Sequence, residues 1–120
     1  MGDLDKSLEF CKRVLNIERY NSSGLHNLSA IFYERGLNIK ALLINKLLVK
    51  IYPNDSVAWN NLGHKYFISR EFCKAIHAHK ISLEINPKNV TCWKNLAYCY
   101  GNIGDWREAE RCFEKGRSPK

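Results

Sequence analysis

The chain has 120 residues, 45% of them hydrophobic and 12% aromatic, with 3 prolines. That composition fits one globular domain with enough apolar surface for a core without staples, and it excludes a disordered chain. Lys and Arg number 19 against 12 Asp and Glu, a net charge of +7, which permits acidic partners, nucleic acid included, without requiring them.

No run of about 18 apolar residues is present, so no segment reads as a membrane-spanning helix. The opening Met1-Gly2-Asp3-Leu4-Asp5 is acidic and polar, unlike a secretory signal or a transit peptide. Cys11, Cys73, Cys92, Cys99 and Cys112 are odd in number and form no CxxC pair. They read as reduced thiols of an intracellular protein, cytoplasmic or nuclear, packed as small hydrophobes.

In chain order, the first predicted element is a helix over Leu4–Arg19 with Leu8, Cys11 and Leu15 on one face. Leu25, Leu28, Ser29 and Phe32 then recur at helical spacing, and Gly36-Leu37-Asn38 reads as a turn with Gly as the helix stop and Asn as a helix N-cap. Ala41–Ile51 is a second helix, ended by Pro53, which has no N–H and restricts the residue before it. Trp59, Leu62 and Tyr66 form the next stripe, with Gly63 beside it where a partner helix approaches closely. Ala75–Ile85 follows and ends before Pro87. Trp93, Leu96 and Tyr100 repeat the stripe, Gly104-Asp105-Trp106 repeats the turn, and a last helix carries Ala109 and Phe113. Neither Ala41–Ile51 nor Ala75–Ile85 alternates at period two, so no strand competes.

The elements recur every 34 residues. Trp59 falls on Trp93, Leu62 on Leu96, Tyr66 on Tyr100, Ala75 on Ala109 and Pro53 on Pro87. Read as Trp59, Leu62, Gly63, Tyr66, Ala75 and Pro87, the unit resembles the tetratricopeptide repeat. The resemblance implies an all-α, right-handed solenoid of antiparallel helix pairs, about 3.5 repeats and seven helices in one domain. Its units are 22–55, 56–89 and 90–120, preceded by a half repeat in 3–21 that holds a second helix alone. Leu25 stands where Trp is usual, and Asn45 and His79 stand where an aromatic is usual.

No GxSxG, P-loop, GxGxxG, HExxH or EF-hand pattern occurs, and the acids are scattered, so no catalytic set and no cofactor are expected. Cys73 and His77, four apart on one helix face with His79 and His64 near, are the best metal candidates, but the set is incomplete. A core histidine is the plainer reading of His79. Arg35, Lys40, Lys46 and Lys50 lie between Glu34 and Asp55 with no acid among them. They support RNA binding through the second helices as the weaker alternative, since a constant spacing of 34 departs from the slightly longer RNA-reading repeat.

The stronger candidate is a series of asparagines. Asn27, Asn61 and Asn95 each precede a core leucine at the same spacing. In the resembled family that slot faces the concave groove and grips the backbone of an extended peptide. An amide both donates and accepts, so it pairs with a peptide whatever its side chains. His26, Asn60, Lys94, His64 and Tyr98 are expected around that row, with Ala30, Tyr33 and Phe67 nearby. The groove so composed favours a neutral or acidic extended segment. A chaperone-type carboxylate clamp is not expected, because His26, Ala30, Thr91 and Asn95 stand at four of its positions and only Asn61 matches. The ends, an inter-helix turn at Gly2-Asp3-Leu4 and no polar cap after Phe113, suggest a piece of a longer array or two chains covering each other's open faces. The reading is therefore a non-catalytic adaptor or assembly module that binds a peptide. A scaffold packing through its ends is the alternative.

Overall fold

The computed structural model describes residues 21–117. The expected helix over Leu4–Arg19, and with it the half repeat in 3–21, lies outside the described residues. Those residues hold six helices and no strand: α1 Ser22–Glu34, α2 Asn38–Ile51, α3 Ser56–Ile68, α4 Phe72–Ile85, α5 Val90–Asn102 and α6 Trp106–Arg117. They divide into two compact units between Pro53 and Asn54. No helix among the described residues is long and apolar enough to cross a membrane.

Each first helix starts on a side-chain cap. Asn21, Asp55 and Asn89 accept from the backbone N–H of Gly24, Ala58 and Cys92 at 2.9, 3.2 and 3.0 Å. These residues sit at the repeat spacing, and each satisfies a donor that the first helical turn leaves open. The second helices start differently. Asp105 caps α6 by accepting from Glu108 N–H at 3.2 Å, whereas Leu37 and Glu71, the N-caps of α2 and α4, make no side-chain cap bond. Asn38 is therefore the first residue of α2 and not its cap, a shift of one position from the sequence reading.

The turns inside the pairs share one geometry. The N–H of Leu37, Glu71 and Asp105 reaches back to the carbonyl of Phe32, Tyr66 and Tyr100 at 2.8, 2.9 and 2.9 Å. Such a closure needs a left-handed residue just before that donor. Gly36 and Gly104 supply it at φ 75° and 85°, as expected, but in the middle turn Arg70 holds φ 63°. A side chain in that region is disfavoured, and Arg70 lies against the Phe72 ring, 5.6 Å from its centroid. α2 and α4 end at Ile51 and Ile85, two residues before Pro53 and Pro87.

In the first unit α1 packs on α2. Leu25 and Ser29 are buried against Ala41, Ile44, Asn45 and Leu48, and the Ser29 hydroxyl donates to the Ala41 carbonyl at 3.4 Å. Asn45 is fully buried with no partner for either amide atom.

In the second unit α3 packs on α4, α4 on α5 and α5 on α6. Leu62, Leu96 and Tyr100 from the predicted stripes are buried, as are Ala75 and Ala109, while Trp59 and Trp93 are half-buried. Leu83, Cys92, Leu96, Ala97, Tyr100, Ala109 and Cys112 form one apolar cluster. At the open end of the α3–α4 pair, the Ser82 hydroxyl donates to the Ser56 carbonyl at 2.8 Å.

Midway along the same pair, the His79 ring lies flat against Gly63. A Cβ at residue 63 would stand 2.6, 2.7 and 2.8 Å from His79 Cε1, Nε2 and Cδ2. The close approach expected at Gly63 is thus a seat for one side chain. Gly63→Ala is expected to destabilise the wild-type chain by about 1–2 kcal/mol, overpacking outweighing the gain in helix propensity. In a His79→Ala background the same change is expected to stabilise by up to about 1 kcal/mol, because only the propensity term remains. A denaturant double-mutant cycle checks the change of sign.

Candidate functional site

The side chains expected to bind fall into the two units. His26 is half-buried and Asn27 exposed on α1, in the first unit. Asn60, Asn61 and His64 are half-buried on α3, and Lys94, Asn95 and Tyr98 lie on α5, in the second.

Within the second unit, α3 and α5 bring Asn60 and Asn95 together. Asn95 Nδ2 donates to Asn60 Oδ1 at 3.3 Å. By repeat register Asn95 corresponds to Asn61, and both were expected to face a ligand. The bond goes to Asn60, one residue before the register match of Asn95, and register alone does not reveal that offset. Each amide keeps hydrogen-bonding capacity beyond this bond.

Beside the pair is a cavity of about 170 Å³ lined by His64 and Phe67 of α3, His79 of α4, and Asn95 and Tyr98 of α5. Three of these five were expected around the groove as binding residues, and Phe67 beside them. His79 was read as core. It is core, fully buried, but it also floors the cavity, and its Nε2 has no partner. Its Nδ1 lies 3.6 Å from Cys92 Sγ, and that thiol also donates to the His79 carbonyl at 3.4 Å. The signal in the sequence was a polar residue in an aromatic slot opposite a glycine.

The site is electrically quiet. Burial pulls the His79 pKa down to about 4, with the neighbouring His64 adding to the effect. Burial, and then Lys65, lower His64 as well. Both imidazoles are therefore neutral at pH 7. Lys94 is exposed at the rim. Tyr98 packs edge-on against Phe113 with centroids 5.6 Å apart, and Phe67 does the same with Phe72 at 5.5 Å, which fixes two walls of the cavity.

The metal candidates separate. Cys73 and His77 are exposed on α4, while His79 is buried, and no three His, Cys, Asp or Glu side chains among the described residues gather as ligands. Cys73 departs from the expectation of buried thiols. Cys92, Cys99 and Cys112 follow it, unpaired and buried, and burial raises Cys92 to about 11 and Cys99 to about 12, so both stay protonated and inert.

Residues 81–111 match the family model of the tetratricopeptide repeat. Residues 81–111 carry a tetratricopeptide repeat. The described helices accordingly form the all-α helix pairs of that solenoid class, a class of protein–protein interaction modules. Similar solved structures include MamA, at 26% identity and a TM-score of 0.83 over 99% of this chain and 70% of that one. They also include the Sgt2 tetratricopeptide domain from Aspergillus fumigatus, at 22% identity and a TM-score of 0.75 over 79% of this chain and 63% of that one. A chain of the CopN–Scc3 complex matches at 22% identity and a TM-score of 0.74, over 85% of this chain and 62% of its own length. No curated protein matches the sequence.

The pKa of His79 makes stability depend on pH. The unfolded ring binds a proton below about 6.5 and the folded ring only below about 4, so stability is lost as pH falls through that window. The loss is expected to reach about 3 kcal/mol by pH 4. Chemical denaturation at pH 7, 5.5 and 4 checks it, and His79→Phe is expected to flatten the slope between pH 6.5 and 4.

Proposed function

We propose that this chain is a non-catalytic adaptor or assembly module that holds an extended peptide along the α3–α5 face of its second unit. The observation that carries the reading is the Asn60–Asn95 bond at the edge of the cavity. An amide pair with spare donors and acceptors matches a peptide group, which offers one N–H and one C=O. Asn61, His64, Lys94 and Tyr98 flank that contact in this reading. His26 and Asn27 hold the corresponding repeat slots on α1 of the first unit. The face suits a neutral or acidic segment, since its imidazoles are uncharged and Lys94 is the cation at its rim. No cofactor is invoked. The protein works in a reducing compartment, cytoplasmic or nuclear, in keeping with the unpaired thiols of Cys92, Cys99 and Cys112.

A second reading, a scaffold that packs or self-associates through an open repeat face, rests on a different observation. Ala97, Tyr98, Gly101, Trp106 and Phe113 line an open hollow of about 690 Å³ on α5 and α6, where Trp106 is 72% exposed. RNA binding through the basic second helices is a third reading; on α4 and α6 the cations Lys74, Arg111 and Arg117 pair with Glu71, Glu108 and Glu114, so it falls chiefly to Lys40, Lys46 and Lys50 of α2.

The test is affinity capture from lysate with wild-type chain, an Asn60→Ala/Asn95→Ala double variant and Asn27→Ala. The double variant is expected to lose at least about tenfold in captured partner, as the loss of one or two net hydrogen bonds implies, with far-UV circular dichroism unchanged. Unchanged capture by the double variant refutes the reading.

A further inference from the structure

We propose that the cavity floored by His79 is a side-chain subsite of the peptide face, selective for an uncharged residue that carries a hydrogen-bond donor. This rests on the peptide-binding reading above and adds the chemistry of the residue selected.

The selectivity follows from where one proton sits. Cys92 Sγ donates to the His79 carbonyl at 3.4 Å, so the thiol proton is committed and the sulfur offers the ring only lone pairs. With the thiol proton on that carbonyl, the 3.6 Å contact between Cys92 Sγ and His79 Nδ1 takes Nδ1–H as donor, which is the tautomer the subsite requires. A neutral imidazole protonated at Nδ1 keeps a lone pair on Nε2. That nitrogen is the atom with no partner, in a residue that is 0% exposed and lines the cavity. Gly63 lies against the same edge of the ring and holds it in place without supplying a donor.

The remaining walls narrow the choice. Phe67 and Tyr98 are aromatic, His64 is neutral, and Asn95 adds an amide. Among the described residues no carboxylate lines the cavity to balance a lysine or arginine, and no cation lines it to balance an aspartate or glutamate. An aliphatic side chain fills the space but leaves the acceptor unpaired, which discriminates against it. A hydroxyl, amide or indole donor satisfies both polarity and size.

Two measurements test this. The first is selection of a random dodecapeptide display library on the wild-type chain. Binders are expected to carry Ser, Thr, Tyr, Asn, Gln or Trp at one fixed position, and replacing that residue by Val is expected to weaken binding about tenfold. On His79→Phe, which keeps a ring in the slot without the acceptor, the donor-bearing peptide is expected to bind no better than its Val counterpart. Binders with an acidic, basic or aliphatic preference there, or with none, overturn the subsite and leave the peptide face standing. A library that yields no binder on the α3–α5 face overturns both. The second measurement needs no variant: long-range ¹H–¹⁵N spectra of the wild-type chain are expected to show His79 with a pyridine-type Nε2. A proton on Nε2 overturns the proposal.

Discussion

The contact between the His79 ring and the backbone of Gly63 sets the geometry of the second unit. A residue with any side chain at 63 would meet the ring within 3 Å, so α3 and α4 approach this closely only because one partner has no Cβ. The ring therefore passes between α3 and α5 and not along the outside of the pair. That places an imidazole edge under the α3–α5 face, and Cys92 holds the other edge from α5. The same slot holds the buried, polar Asn45 in the preceding repeat and Phe113 in the following one, so the imidazole belongs to the middle repeat alone.

From this contact the chemistry of the face follows. Burial strips His79 of its charge, and partial burial does the same for His64, so the face offers dipoles and aromatic walls in place of a cation cluster. In the proposed reading such a face suits the peptide backbone and uncharged side chains better than a terminal carboxylate, which is why the Asn60–Asn95 pair and not Lys94 carries that reading. The unpartnered His79 Nε2 costs stability in the free protein, and in the proposed subsite a bound donor would offset that cost.

Much of the fold is legible in the sequence, because a 34-residue period repeats each physical requirement three times. Leucine stripes, alanines at helix contacts, and prolines after the second helices all fall where the helices need them. The asparagine and aspartate caps at 21, 55 and 89 are equally periodic, yet they escape a reading that looks for apolar spacing first. Arg70 escapes it for the opposite reason: the middle turn keeps the left-handed geometry of Gly36 and Gly104 without their glycine, and only the backbone shows it. The site is legible in part. Asn95, His64 and Tyr98 follow from register, but the bond from Asn95 to Asn60 depends on how α3 and α5 pack, and the place of His79 depends on which ring nitrogen is left unpaired. Neither is a property of spacing.

The most direct test of the account is a crystal structure of the chain with a peptide selected on it. The account predicts an extended peptide whose backbone pairs with the Asn60 and Asn95 amides and whose side chain donates to His79 Nε2. A peptide seated on the hollow beside Trp106, or on the basic outer faces of α2 or α4, with Asn60 and Asn95 untouched, would contradict it.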